Sequence, residues 1–236
     1  MKTSVYFLDA SLDPGEEKLL QAAERLSDRR REKAARLRFR KDRILSLSAG
    51  LLLDQGLRNY GLTEKNEEIE YRYNGKPYLK NHPDIYFNLS HSGTMIMAAF
   101  SHREIGCDIE RIKEARMGVV RRYFTEKEQL FMKKNWTEEE KNRLFTRYWT
   151  LKESVLKVTG EGMRMPLNSF ELQLGECGLK NNVTLQWKKK PEREFSSFSF
   201  QEYGFAEYQA AICVEGGEDL LSDVFFSFQN LQDVVR

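Results

Sequence analysis

The chain has 236 residues, with 38 Lys and Arg against 36 Asp and Glu, so its formal net charge is only +2. With 40% hydrophobic and 31% charged residues it can bury a real core, which excludes a disordered, collagen-like or highly charged tail protein. No run approaches the roughly 18–20 apolar residues of a membrane span, and the early Asp9 interrupts any secretory leader, so a cytoplasmic protein is expected. Cys107, Cys177 and Cys213 are far apart and odd in number, which suggests neither a disulfide framework nor a zinc site.

In chain order, alternation over Val5–Leu8 predicts a buried strand, and Pro14-Gly15 breaks it. Leu19, Leu20, Ala22, Ala23 and Leu26 have helical spacing, and Ser27-Asp28 can cap a basic helix from about Arg29. From Arg25 to Arg43 there are ten bases and three acids, read either as a solvated helix face or as a site for a phosphorylated ligand. An apolar helix is predicted over 42–57, and Ile69, Tyr71 and Tyr73 then form a strand whose tip is the Asn74-Gly75 turn. Two strands, 86–89 and 94–100, flank a loop of Ser90-His91-Ser92-Gly93, and a further strand covers 105–109.

The second half repeats the order of helices, then strands. Thr125 and Glu128 have capping-box spacing, and a long helix from about Thr137 to Val158 carries the seam Leu144, Tyr148, Leu151, Val155 and Val158, stopped by Gly160. Strands follow at 169–174, 183–187, 196–200 and 208–214, and the tail with Phe225, Phe226 and Phe228 packs back. Element order alone predicts a pseudo-repeated α+β chain with a join near residues 112–118.

In Ile105-Gly106-Cys107-Asp108-Ile109-Glu110, strand alternation places Asp108 and Glu110 on one face. Two neighbouring carboxylates repel, and a cation between them holds both ionised; few oxygen ligands suit Mg²⁺, which keeps water and takes substrate phosphates. The alternative is a pair of ordinary surface acids. Trp149, Glu153 and Lys157 share one helix stripe at i, i+4, i+8, which reads either as an exposed ion pair beside a core Trp or as a third metal ligand with a phosphate-binding Lys. His91 lies among small hydroxyls and a Gly, a composition that suits a ligand's phosphates as well as a plain polar loop.

Taken in order, Gly75-Lys76-Pro77, Phe87-Asn88-Leu89-Ser90-His91-Ser92-Gly93, Ile105 to Glu110, Phe124-Thr125-Glu126-Lys127-Glu128 and Trp149 to Lys157 with Gly160-Glu161-Gly162 resemble the motifs of the Sfp-type 4′-phosphopantetheinyl transferases. The resemblance implies an α+β fold of two similar lobes in a pseudo-twofold arrangement, residues 1–112 and 113–236, with the active site in the cleft between them. It implies Asp108, Glu110 and Glu153 as Mg²⁺ ligands, Lys157 on the pyrophosphate, and Ser90, His91, Lys76 and Pro77 at coenzyme A. It places Arg30 and Lys33 near the 3′-phosphate, Ser46 as an assisting hydroxyl and Glu128 as candidate base. Leu45 stands where the family often has Arg, with Arg43 as a substitute. The implied reaction moves 4′-phosphopantetheine to a serine of an apo acyl or peptidyl carrier protein of lipid or antibiotic biosynthesis. Met163, Met165 and Leu167 beside Lys188, Lys189 and Lys190 read either as the surface that docks that carrier or as ordinary core and loop. The implied enzyme is a monomer, with no nucleic-acid or membrane partner. Competing readings are a metal-dependent nuclease, which a net charge of +2 disfavours, and an inactive coenzyme A or carrier-binding module, which a missing acid would mark.

Overall fold

The computed structural model describes residues 3–175, 182–191, 193–205, 207–217, 221 and 224–235; Cys177 and the side chain of Met163 lie outside the described part. The elements run β1 (Ser4–Asp9), α1 (Glu16–Ala23), α2 (Asp28–Ala35), α3 (Arg40–Arg58), β2 (Ile69–Tyr71), β3 (Pro77–Leu79), β4 (Tyr86–Ser92), β5 (Met95–Ser101) and β6 (Ile105–Arg111). Then come α4 (Met117–Tyr123), α5 (Glu126–Met132), α6 (Glu138–Thr159), β7 (Phe170–Leu174), β8 (Val183–Trp187), β9 (Phe198–Phe205), β10 (Tyr208–Glu215), β11 (Phe225–Asn230) and α7 (Leu231–Val234). The chain is α+β, and no helix among the described residues is long and apolar enough to cross a membrane.

Two sheets dominate, β11-β1-β5-β4 and β6-β10-β9, with hairpins β2-β3 and β7-β8 beside them. Their strands alternate with period two, so each strand feeds two cores. Tyr6, Leu8, Ile96, Ala98 and Phe100 face α1, α2 and α3, while Val5, Phe7, Met95, Met97 and Ala99 face the second sheet. There they meet Ile105, Cys107, Ile109, Ala210, Ile212 and Val214. The other side of the second sheet, Phe200, Ala211 and Cys213, packs on Tyr148, Leu151, Val155 and Val158 of α6 and on Phe124. The order of layers is therefore helices, sheet, sheet, helices, which explains why all seven residues of β5 are buried.

The sheets cross a division at residue 112. β6, expected in the first lobe, pairs with β10 over Ile105↔Val214 to Arg111↔Tyr208 and belongs to the second sheet. The tail returns as β11, pairing parallel with β1 from Ser4↔Phe225 to Asp9↔Asn230. The expected loop at residues 90–92 is strand, because β5 pairs with β4 through Ser92↔Met95 and leaves only Gly93, at φ 58°, and Thr94 for the turn.

Candidate active site

The site forms where α6 crosses β6. Gly106 makes that crossing possible: a Cβ there would lie 2.2 Å from the Ser154 carbonyl oxygen and 2.4 Å from the Val158 nitrogen. With no side chain at this point the helix backbone lies directly on the strand, and the stripe holding Glu153 and Lys157 comes down beside Asp108. Capping fixes the helix at both ends. Thr137 and Glu140 form a capping box at its start, and Gly160, at φ 73°, supplies the left-handed residue at its end.

On the other side, β4 presents Asn88, Ser90 and Ser92 to β6, whereas His91 alternates to the opposite, exposed face. The Lys157 ammonium donates to Asp108 Oδ1 (2.7 Å), Ser90 Oγ (3.0 Å) and the Cys107 carbonyl (3.0 Å). Ser90 Oγ donates to the same Asp108 Oδ1 (2.8 Å), and Ser92 Oγ donates to Glu110 Oε2 (2.7 Å). The Glu153 carboxylate has no hydrogen-bond partner among the described residues. Burial pushes its carboxyl up, and the charges of Asp108 and Glu110 add to that rise against the opposing pull of Lys157. Burial alone would lower Lys157, but Asp108 foremost, with Glu153, holds it above its ordinary value.

These residues fit a divalent cation. Asp108 Oδ2 is buried with no hydrogen-bond partner. The three carboxylates outnumber the two ammoniums that reach them, Lys157 on Asp108 and Lys113 at 3.9 Å from Glu110 Oε2, and all the candidate ligands are oxygens, as Mg²⁺ prefers. The acids do not form a closed cage: among the described residues no group of three or more His, Cys, Asp or Glu is arranged to hold a metal. Glu110 opens onto a pocket of about 190 Å³ whose wall includes Phe145, Trp149, Val119, Lys113 and Arg116.

Several other expected site residues are placed elsewhere. Glu128 is only 1% exposed. Its Oε2 accepts from the Thr125 N–H (2.8 Å) and the Lys152 ammonium (2.9 Å), and its Oε1 accepts from the Leu172 N–H (2.8 Å). A carboxylate so enclosed is a structural anchor, out of reach of a protein-borne serine. Lys76 is buried on Glu104 Oε2 (2.6 Å) and the Val158 carbonyl (3.2 Å), so its ammonium ties the Asn74-Gly75 turn to the end of α6. Burial lowers its pKa despite Glu104. Pro77 opens β3, half-buried. Arg30 donates through Nε to Glu64 Oε1 (2.6 Å) and shares with Lys33 a separate pocket of about 180 Å³ that also includes Arg29, Glu67 and Tyr71. Ser46 is half-buried on α3. Much of the basic run is neutralised locally: Arg31 pairs with Asp28, Arg36 with Glu32, and Arg40 with Asp13 and Glu16. Of the two readings of their segment, Met165 and Leu167 take the core one, and Lys188 faces the buried Glu171 at 3.8 Å.

Lys152 and Glu104 carry structural weight that no local pattern signals. Lys152, fully buried, donates to the Leu167 (2.8 Å) and Phe170 (3.1 Å) carbonyls and pairs with Glu128, which fixes the rotation of α6 one residue before Glu153. Glu104 gathers Lys76, Arg72 (2.5 Å) and Arg193 (3.3 Å).

Two family models match consecutive parts of the chain: "4′-phosphopantetheinyl transferase, N-terminal" over residues 10–103 and "4′-phosphopantetheinyl transferase superfamily" over residues 104–213. The chain is similar to a 4′-phosphopantetheinyl transferase of Bacillus subtilis, 30% identical over 214 residues that cover 90% of this chain and 92% of that one. It is 33% identical over 156 residues to the transferase Sfp of Bacillus subtilis strain 168, covering 65% and 68% of the two chains. It is 29% identical over 181 residues to the transferase HetI of Nostoc, covering 74% and 76%. With matches of this extent lying over the crossing of α6 and β6, the chain belongs to the 4′-phosphopantetheinyl transferase superfamily.

Proposed function

We propose that the chain transfers the 4′-phosphopantetheine group of coenzyme A to a serine hydroxyl of an apo acyl or peptidyl carrier protein, releasing adenosine 3′,5′-bisphosphate. Asp108, Glu110 and Glu153 would hold Mg²⁺, which when bound supplies positive charge to the pyrophosphate oxygens. The observation that carries the cation reading is the unpartnered, buried Asp108 Oδ2 beside a Glu153 whose ionised form is disfavoured without a cation.

The protein's own groups do the rest. Lys157, held on Asp108, meets the negative charge of the pyrophosphate at the edge of the acid cluster. The serine oxygen bonds to the β-phosphorus as the bond from that phosphorus to the leaving bisphosphate opens, and the serine proton passes to water on the open, Glu110 side. Positioning and fixed charge supply most of the acceleration. The pocket beside Glu110 has an apolar wall of Phe145, Trp149 and Val119 with Lys113 and Arg116 at its rim, a surface suited to an amphipathic acidic segment of the carrier.

The test is intact-mass spectrometry of a panel of apo carrier proteins after incubation with the protein, coenzyme A and Mg²⁺, with EDTA in a parallel sample. A gain of one phosphopantetheine, absent with EDTA, is expected. Equal gain with and without EDTA would remove the cation from the reaction, and no gain on any carrier would refute the transferase reading.

A further inference from the structure

β4 and β6 are edge strands of different sheets, and their backbones share no ladder. Their junction is made by side chains. Asn88 Oδ1 accepts the Cys107 N–H (3.0 Å), Ser90 Oγ accepts the Ile109 N–H (3.4 Å) and Ser92 Oγ accepts the Arg111 N–H (3.1 Å). The partners stay 19 residues apart at every rung, so the two strands run parallel in a fixed register. The period of two on both strands makes this possible. Every second residue of β4 faces β6, and every second N–H of β6 points back.

Each hydroxyl on this ladder does a second job. A serine oxygen that accepts an N–H still has its own proton to give. Ser90 gives it to Asp108, and Ser92 gives it to Glu110. Asn88, the rung without a carboxylate across from it, binds only the backbone. The spacing that registers the sheets therefore also aims two of the three acids.

Resting on the cation reading above, we infer that Ser92 is a positioning residue. Its hydroxyl, pinned by the Arg111 N–H and 93% buried, fixes the Glu110 carboxylate in the orientation that receives the divalent cation. Groups that orient a metal's ligands from behind typically change metal affinity 10–100-fold when removed. A residue needed only to join the sheets would lower stability and leave the metal alone.

The experiment measures Mn²⁺ binding to the full chain with coenzyme A present, by the loss of the free-ion electron paramagnetic resonance signal, alongside thermal melting. Ser92→Ala is expected to weaken Mn²⁺ about tenfold and to raise the half-saturating Mg²⁺ concentration for transfer in parallel, with the KM for coenzyme A unchanged. Asn88→Ala, which cuts a rung facing no acid, is expected to lower the melting temperature and keep wild-type Mn²⁺ affinity. Ser92→Cys fills the same space with a thiol that donates only weakly, and it reads the same loss should Ser92→Ala not fold. Unchanged Mn²⁺ affinity in the folded Ser92 variants, or an equal loss in Asn88→Ala, overturns the inference. A wild-type protein that binds no Mn²⁺ overturns the cation reading and this inference with it.

Discussion

Gly106→Ala tests how the site is built. The added methyl would stand 2.2 Å from the Ser154 carbonyl oxygen, 2.4 Å from the Val158 nitrogen and 2.9 Å from the Lys157 carbonyl carbon. Every one of these atoms is helix backbone, so no side chain can swing aside, and α6 must lift by about 1 Å to restore ordinary contact. Two terms oppose each other in stability. Replacing Gly by Ala stiffens the unfolded chain and stabilises by about 0.4–1 kcal/mol. Overpacking of this kind destabilises by about 1–3 kcal/mol, so the clash wins and the melting temperature falls by several degrees. The larger effect is on the reaction. Glu153 and Lys157 ride on the displaced helix while Asp108 stays on the strand, and a misplacement of about 1 Å can cost roughly 100-fold in rate. Initial rates of carrier modification by mass spectrometry, with melting curves on the same preparation, give both numbers. A Gly106→Ala protein that melts as wild type and transfers at more than a tenth of its rate would refute the view that close backbone approach assembles the site.

Further outcomes follow from the buried charges. Glu153→Gln should abolish transfer yet raise the melting temperature of the protein in EDTA at pH 8. The Glu153 carboxyl is held above its ordinary value of 4.5, by burial first, so its stabilising contribution exists below that value and is lost as pH rises through the folded one. Melting curves across pH in EDTA should thus fall for wild type relative to Glu153→Gln, and parallel curves would show that Glu153 is not strained. Lys152→Met leaves Glu128 buried and unpaired and should destabilise by about 3–5 kcal/mol; the double variant with Glu128→Gln should lose less than Lys152→Met alone, and additive losses would mean the pair is not coupled. Glu128→Gln should lower the melting temperature while transfer per folded molecule stays within tenfold of wild type. A drop of several orders of magnitude in a folded protein would return Glu128 to the chemistry.

Local rules in the sequence reach a long way here. The Thr125 and Glu128 spacing is a capping box in the structure, and Ser27 caps α2 through the Arg30 N–H. The period of 3.6 gave Tyr148, Leu151, Val155 and Val158 as one buried face, and the same period aligned Trp149, Glu153 and Lys157 on another stripe. Alternation over residues 105–110 separated the core residues Ile105, Cys107 and Ile109 from Gly106, Asp108 and Glu110. These are properties of one element at a time, fixed by backbone geometry.

Where a polar group spends its hydrogen bonds is another matter. Glu128, Lys76 and Arg30 fit the expected motifs, yet Leu172, Lys152, Glu104 and Glu64 claim them, and those partners come from elsewhere in the chain. Burial makes such pairing compulsory, and burial is known only when the layers close. The return of β11 to β1, the transfer of β6 to the second sheet and the parallel ladder from β4 to β6 likewise depend on contacts between distant segments. The sequence by itself determined most of the elements, their buried faces and the acid-bearing motifs, because these follow from short-range periodicity. The tertiary structure alone decided which charges are structural and which face the site, because that depends on which distant neighbour reaches each group first.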